Sequence, residues 1–208
     1  MNYDPTRHHR RSVRLPAYDY AQAGAYFVTM VTHRRQCLFG EIADGRVTLN
    51  PCGQVVEDEW LRSTQIRPGI RLDTFIIMPN HIHGIVVMGE QTTVVGAHSC
   101  APLPYRPPRS LGSLVAGFKS AATKRINEIR GRPGLAVWQR NYYERVIRNE
   151  EELNRVRQYI NDNPERWEED RENPNNVGEP NVGAHGRAPL QVARTGAGTV
   201  REPPLRDA

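Results

Sequence analysis

Two consecutive apolar runs, separated by a turn dipeptide, constrain the fold of this chain most strongly. Residues 69–78 and 81–88 are rich in β-branched and aliphatic side chains, and the Pro-Asn dipeptide at 79–80 is typical of a turn. We therefore predict an antiparallel hairpin. The second strand begins with His81 and His83, and residues i and i+2 of a strand point to the same face. Two imidazoles thus project together from an otherwise apolar strand.

A pair of histidines in a core-forming strand needs a partner. Burying an unpaired polar group costs several kcal/mol, and neutral imidazole is the commonest metal ligand in proteins. A divalent metal ion is one such partner. A His-x-His pair alone is more often structural than metal-binding, so a metal site also requires a third group from a neighbouring element.

The remaining pattern adds two strands and three helices. The predicted strands are 26–32, 69–78, 81–88 and 137–148, and the predicted helices are 51–63, 111–130 and 150–163. Asn50, Ser110 and Asn149 are the expected N-caps. This order predicts an α+β fold, a ferredoxin-like (RRM-like) antiparallel sheet of about four strands with helices on one face and a further C-terminal helix.

Composition sets the boundaries of the folded domain. Residues 1–24 are polar and basic and are predicted to form a loosely ordered arm, and 25–168 form the domain. Residues 90–109 are rich in proline and glycine and form an inserted loop. Residues 169–208 are predicted to be a disordered tail. A nine-residue segment at 95–103 recurs at 182–190 with seven identities, and neither copy has a core pattern.

The charge of the chain is compatible with two interpretations. The net charge is +5, the pI is near 9.4, and most of the excess is arginine, which favours phosphate binding but also serves solubility. The candidate DNA contacts lie in the arm and on the second helix: Arg10, Arg11, Arg14, Lys119, Lys124 and Arg125. The alternative interpretation is a disordered terminus and a solvated helix face.

Cysteine usage and hydropathy indicate the compartment. The three cysteines lack a CxxC spacing, so we expect reduced thiols in place of a disulfide framework. No apolar stretch approaches the ~20 residues of a membrane span, and no apolar signal region follows the basic N-terminus. We expect a cytoplasmic protein.

The last predicted helix offers the third group. Tyr159 and Asn163 are four residues apart and share one helix face. An asparagine oxygen is an acceptable ligand for a hard cation, and tyrosine can act as a nucleophile that forms covalent intermediates. Tyr142 and Tyr143 are competing nucleophiles, but they face opposite sides of a strand, and we interpret them as packing or DNA-stacking residues.

Three sequence blocks, taken together, resemble a known family. Residues 78–83, 138–148 and 159–164 are similar to the single-tyrosine HUH transposases, in particular to the REP-associated branch. The resemblance covers roughly residues 15–167. It implies a bacterial, nucleoid-associated protein whose partners are single-stranded DNA hairpins formed by palindromic repeats.

The resemblance also implies a reaction. Tyr159 would attack a scissile phosphate of single-stranded DNA, forming a 5′-phosphotyrosyl link and releasing a 3′-hydroxyl. His81 and His83 would hold Mg²⁺ or Mn²⁺ with Asn163 as third ligand. Insertion-sequence members often carry glutamine at the position of Asn163, so this chain departs from the pattern there.

Two other functions remain open. One is a hairpin-binding protein that is inactive or domesticated. The other is an HUH replication initiator or relaxase. The intact set of histidines, tyrosine and asparagine favours the enzyme, and nothing in the chain resembles an added helicase domain. The sequence leaves open whether one chain or a homodimer completes the active site.

Overall fold

The computed structural model describes residues 19–20, 22–89 and 110–176. Residues 1–18 of the predicted arm, with Arg10, Arg11 and Arg14, the insert at 90–109 and both copies of the nine-residue repeat lie outside the described residues. The end of the arm that is described is not loosely ordered, because Tyr20 is buried in the core and its carbonyl accepts from the backbone N–H of Leu111. The described residues are sufficient to define the sheet, the helices and the candidate site.

The described chain alternates strands and helices in the predicted order, with one additional ribbon. The elements are β1 (Gly24–Val31), β2 (Gly40–Ala43), β3 (Arg46–Leu49), α1 (Pro51–Gln65), β4 (Ile70–Met78), β5 (His81–Met88), α2 (Leu111–Ile129), β6 (Tyr143–Ile147) and α3 (Glu150–Asp162). Short 3₁₀ turns lie at His33–Arg35 and Trp167–Glu169.

The main sheet confirms the predicted α+β fold. Its strand order is β4-β5-β1-β6, and every neighbouring pair is antiparallel. β1 and β5 are therefore central. In their register Val31 lies opposite His81, and Thr29 lies opposite His83.

Side-chain caps fix the starts of the helices, as expected from the sequence. Asn50 accepts hydrogen bonds from the backbone N–H groups of Cys52 and Gly53. Ser110 caps α2 and Asn149 caps α3 in the same way. Such caps satisfy N–H groups that have no partner within the helix. The observed helix limits agree with the predicted ones to within two residues.

The pleat of the sheet separates two apolar layers. One layer lies between the sheet and the pair α1 and α2, and includes Trp60, Phe118 and Trp138. The other lies between the sheet and α3, and includes Phe27 and Ile85. Because His81, His83 and Ile85 alternate with Ile82 along β5, the histidines face α3.

Two parts of the fold differ from the prediction. The sequence analysis missed the β2–β3 ribbon, whose Asp44–Gly45 turn has positive φ at both residues and is a recognisable hairpin signal.

The last sheet strand is also shorter than the predicted 137–148. Trp138 makes only an isolated bridge to Thr32, because the carbonyls of Gln139 and Asn141 bind the Lys119 ammonium and not a neighbouring strand.

Among the described residues, no helix is both long and apolar enough to cross a lipid bilayer.

The contact between α1 and the segment before β2 generates a stability prediction. A Cβ at Gly53 would collide with the backbone carbonyl oxygen of Phe39. We expect Gly53→Ala to lower the free energy of unfolding by about 1–3 kcal/mol, the usual cost of overpacking, although alanine normally favours a helix. Urea denaturation followed by circular dichroism measures this.

The matched control is Gln54→Ala, on the exposed side of the same helix, which should change stability by less than about 0.5 kcal/mol. A Gly53→Ala protein as stable as the wild type would contradict the close approach of α1 to Phe39.

Candidate active site

His81 and His83 form a buried pair at the start of β5. Their ring centroids are 4.4 Å apart, and the two residues are 0% and 2% exposed. α3 and the segment after it cover the pair. Burying two imidazoles is costly unless their nitrogen atoms have partners, so the partners of each ring define the site.

Asn80 determines which ring nitrogen of a neutral His81 carries the proton. Its Nδ2 donates to the backbone carbonyls of Arg35 and Glu172, at 3.1 and 2.6 Å, so its Oδ1 is the acceptor side. That oxygen lies 2.8 Å from His81 Nδ1, which therefore carries the proton. The lone pair of a neutral His81 then resides on Nε2. This nitrogen is buried and has no hydrogen-bond partner among the described residues.

His83 lies between a threonine and the candidate nucleophile. Its Nδ1 is 2.8 Å from Thr29 Oγ1, and its Nε2 is 3.3 Å from the phenol oxygen of Tyr159. When Nδ1 donates to the threonine, the Nε2 lone pair faces the phenol. Metal-binding histidines commonly donate their other ring N–H to a protein oxygen, and both histidines have such an oxygen beside Nδ1.

Burial keeps both imidazoles neutral. It lowers the pKa of His81 to about 4, against the opposing effects of the Asp170 charge and of Asn163. Burial also holds the pKa of His83 well below its usual range, and the neighbouring His81 lowers it further. Neutral imidazole is the form that binds metal ions.

Tyr159 reaches the histidines from α3. Its ring packs edge-on against Phe27, with centroids 6.0 Å apart. Burial raises the pKa of the phenol above its usual range, and the charge of Asp170 raises it further, while a hydrogen bond from Asn163 opposes them. The phenol is therefore protonated at neutral pH in this arrangement.

Asn163 lies at the C-cap of α3, one turn after Tyr159. It is 3% exposed, and its Oδ1 has no hydrogen-bond partner among the described residues. Its carboxamide influences the pKa of both His81 and Tyr159, so it lies beside both groups. The structure thus brings the four residues singled out in the sequence to one place.

Asp170 is a site residue that the sequence analysis missed. Its Oδ2 is 3.9 Å from His81 Nε2, and ligand atoms of His81, His83 and Asp170 all lie within 4.8 Å of one another. It falls in the segment predicted to be a disordered tail. A tryptophan within a polar stretch, Trp167, was the available signal, and its ring lies 6.1 Å from that of His81.

The structure corrects the predicted start of the tail. Residues 169–176 are ordered against the site and do not begin a disordered segment. The backbone carbonyl of Glu172 accepts from Asn80, and its carboxylate pairs with Arg35 at 3.1 Å. These contacts hold Asp170 over the histidines.

An ion pair ties the helix of Tyr159 to the sheet. Arg157 donates to both carboxylate oxygens of Asp73, from Nε and from a terminal nitrogen, each at 2.8 Å. Asp73 lies where the register of β4 against β5 shifts, and such irregularities redirect side chains. The Arg157 hydrogen bonds hold the pKa of Asp73 well below its usual range.

The candidate DNA contacts on α2 lie on the other face of the sheet. The guanidinium of Arg125 is engaged by Asp58 and Glu59, at 3.0 and 2.8 Å. Lys119 is half-buried, and Lys124 is exposed. Tyr143 packs beside Phe27 in the α3 layer, whereas Tyr142 packs in the other layer, so the two tyrosines face opposite sides as expected.

The donor set fits a divalent metal ion. Two neutral imidazoles, a carboxylate and an amide oxygen suit an ion such as Mg²⁺ or Mn²⁺. His81 Nε2 and Asn163 Oδ1 are buried without a hydrogen-bond partner among the described residues, and a cation would satisfy both. The His83 Nε2 lone pair serves either the phenol or a cation, but not both at once.

Comparison with known proteins gives one relative whose similarity extends over most of both chains. No family model matches the chain. An uncharacterized protein of Haemophilus influenzae is 38% identical over 179 residues, which are 81% of this chain and 95% of that protein.

Two solved structures are similar to this chain. One is a REP-associated tyrosine transposase bound to a REP hairpin, with a TM-score of 0.49, 19% identity and 74% of each chain covered. The other is a candidate transposase from Deinococcus radiodurans, with a TM-score of 0.38 and 20% identity, covering 71% of this chain and 94% of that one.

The contact between Asp73 and Arg157 generates a pH prediction. Because the folded-state pKa of Asp73 is lowered, its stabilising effect is present above the unfolded pKa of about 3.9 and is lost as the pH falls through the folded value. We expect Asp73→Asn to be less stable than the wild type at pH 6. The difference should shrink as the pH falls below about 4.

Urea denaturation at several pH values measures this difference. Glu41→Gln, an exposed carboxylate of β2, controls for the loss of one negative charge. A stability difference between Asp73→Asn and wild type that does not change between pH 6 and pH 2.5, chosen as about 1.4 units below the unfolded pKa, would refute the ionic attachment of α3.

Proposed function

This chain belongs to the same family as the uncharacterized Haemophilus influenzae protein, and we propose that it is a metal-dependent nuclease and transposase of single-stranded DNA. In this proposal Tyr159 is the nucleophile, and His81 and His83 hold the metal ion. The substrate is a hairpin of a palindromic repeat, as the resemblance of the three sequence blocks implies. The protein then acts on nucleoid DNA in the bacterial cytoplasm.

The observation that carries the proposal is the contact between His83 Nε2 and the phenol oxygen of Tyr159, at 3.3 Å. The two residues are 76 positions apart in the chain and come from a central strand and the last helix. A tyrosine that served only to pack would not need its hydroxyl beside a buried imidazole. The neighbouring Asp170 and Asn163 complete a set of oxygen donors.

His81, His83 and Asp170 would hold the cation, with Asn163 as the fourth group within reach of the site. Mg²⁺ or Mn²⁺, when bound, supplies Lewis-acid polarisation of the scissile phosphoryl group. Asn80 and Thr29 orient the two imidazoles through Nδ1 and direct their Nε2 atoms into the site.

The reaction exchanges one phosphoester bond for another. The phenol of Tyr159 loses its proton, and its oxygen forms a bond to phosphorus while the bond from phosphorus to O3′ breaks. The departing O3′ takes up a proton and leaves as a 3′-hydroxyl, and the DNA 5′ end stays on the tyrosine. A second 3′-hydroxyl reverses the step and joins a new strand.

Burial and the charge of Asp170 keep the phenol protonated in the arrangement described. Its oxygen faces the Nε2 lone pair of His83, and that lone pair serves either the phenol or a cation. We therefore expect the phenol oxygen to leave His83 when the cation binds, before it attacks a phosphate. Whether a second chain supplies the tyrosine of an active homodimer is tested by mixing complementary variants.

Covalent trapping tests the nucleophile. We expect wild-type protein, incubated with Mn²⁺ and a labelled single-stranded hairpin from the neighbouring genome, to form a covalent adduct that denaturing electrophoresis detects. Tyr159→Phe should lose the adduct, because the ring is kept and only the attacking oxygen is removed. Tyr143→Phe, on the same face of the sheet, is the matched control and should retain it.

An adduct that persists in Tyr159→Phe would refute the assignment of the nucleophile. A wild-type protein that binds the hairpin and forms no adduct with either metal would favour the alternative, a hairpin-binding protein without activity.

Metal binding distinguishes the oxygen ligands. We expect Asp170→Asn to weaken Mn²⁺ binding, measured by electron paramagnetic resonance without DNA, by at least about tenfold, the scale of effects at metal sites. Glu168→Gln, an exposed carboxylate in the same segment, should bind as the wild type does. Loss of binding in Asn163→Ala but not in Asp170→Asn would make the amide the third ligand. Unchanged binding in His83→Ala would refute the site.

A further inference from the structure

A second concave site lies on the opposite face of the sheet from the histidines. A cavity of about 770 Å³ opens between α2 and residues 131–138. Small-molecule sites typically have volumes of about 300–1,000 Å³. The function proposed above uses none of the residues that line this cavity.

Both lysines of the chain line this cavity. The sequence contains only two lysines, Lys119 and Lys124, and both line it. Lys119 is half-buried and donates to the carbonyls of Gln139 and Asn141, at 3.0 and 2.9 Å. Lys124 is exposed one turn further along α2. Two lysines in the lining of one cavity favour an anionic group beside them.

Two buried polar atoms in the lining residues have no partner. Asn127 is 5% exposed, and its Nδ2 donates to the carbonyl of Leu135 at 2.9 Å, so its Oδ1 is left as a free acceptor. Trp138 is 7% exposed, and its Nε1–H is a free donor. Neither atom has a hydrogen-bond partner within the described residues. Because both atoms are fully buried, neither lies open to the cavity, and the contacts of a ligand come from the exposed lining.

The walls between these groups are apolar. Leu135, Ala136 and Pro133 form the outer side, and Leu135 is 40% exposed. The carboxylate of Glu128 lies at the end of the cavity remote from Lys119 along α2. The lining therefore combines two lysines, a carboxylate one turn after Lys124, and an apolar wall.

We propose that this cavity binds one nucleotide of the single-stranded DNA substrate. A nucleotide carries an anionic phosphate, a flat apolar ring and base edges with donor and acceptor atoms. The phosphate lies at Lys119 and Lys124. The base lies between α2 and Leu135, where its flat ring covers the exposed apolar wall. A base in a duplex cannot enter, so the cavity selects unpaired strands.

The position of the cavity suits a strand that also reaches Tyr159. Trp138 bridges to Thr32, and the N–H of Thr32 donates to the carbonyl of Asn80, the residue before His81. At about 4.8 Å per strand step, the backbones of Trp138 and Asn80 are about 10 Å apart. The cavity and the active site thus share one end of the sheet. That the bound strand is the substrate of Tyr159 rests on the proposed function. Binding of a nucleotide in the cavity does not depend on that function.

The rarity of lysine allows a direct test. Full-length Tyr159→Phe protein is pulse-labelled with an acetylating reagent, and mass spectrometry measures the labelling rates of Lys119 and Lys124 against that of the N-terminal amine. Burial lowers the pKa of Lys119 to about 8, which raises the fraction of unprotonated amine near neutral pH. The probes are a mixed-sequence single-stranded 12-mer, the same 12-mer as a duplex, and a mixture of the four deoxynucleoside monophosphates.

We expect the single strand to slow labelling of both lysines about tenfold at a concentration of about ten times its Kd, by mass action. The duplex should have little effect. Ala136→Trp, which places a large ring on the exposed wall of the cavity, should abolish the protection. Ala43→Trp, at an exposed position of β2, is the matched control and should keep it.

Lys124→Ala supplies a second measurement that does not depend on labelling. Removing one phosphate contact should reduce the slope of log Kd against log salt by about 1. Arg46→Ala, an exposed cation on β3, controls for the loss of one positive charge and should leave the slope unchanged.

Binding of the strand without protection of either lysine would overturn the proposal. Equal protection by the monophosphates at the same nucleotide concentration would make the cavity a site for free nucleotides and not for a strand. A DNA adduct in the wild type without lysine protection refutes the cavity and leaves the nuclease intact. Protection without any adduct supports the cavity and refutes the nuclease.

Discussion

The hydrogen bonds of Asn80 are the interaction on which the site depends. Its amide group donates to the carbonyls of Arg35 and Glu172, and its oxygen accepts from His81 Nδ1. One side chain in a two-residue turn thus joins the 3₁₀ turn after β1, the start of β5 and the segment that carries Asp170. Because both donor positions face carbonyls, the orientation of the carboxamide is determined. The available lone pair of His81 follows from that orientation.

The pleat of two central strands assigns different chemistry to the two faces of one sheet. Odd-numbered positions at the start of β5 bring the histidines to α3, and the even-numbered Ile82 packs in the layer of α1 and α2. The register of β1 then supplies Thr29 to His83. A slip of one residue would turn both histidines into the other layer. The histidine pair therefore requires the whole sheet, although only a few residues touch it.

Local signals predicted most of the fold and four residues of the candidate site. The Pro-Asn turn, the capped helix starts and the i, i+4 spacing of Tyr159 and Asn163 are short-range features that are legible in one sequence. Asp170 and the role of Asn80 depend on contacts between segments 90 residues apart, such as the bond from Asn80 to Glu172. The shortened β6 had a similar cause, since the Lys119 ammonium binds the carbonyls that a longer strand would have given to a neighbour. Residues 169–176 were assigned to the tail from their composition. A polar segment that packs through one tryptophan and a few ion pairs has the same composition as a disordered segment.

The attachment of α3 has a consequence for motion. Two charged contacts hold the helix, Arg157 with Asp73 and Arg145 with Glu152, together with an apolar layer much smaller than the one under α1 and α2. Regions with few buried apolar contacts open locally at the lowest free energy. The helix that carries the phenol is therefore the layer that separates from the sheet most readily. The histidines stay behind on the most deeply buried strand, so nucleophile and metal ligands can part without unfolding the domain.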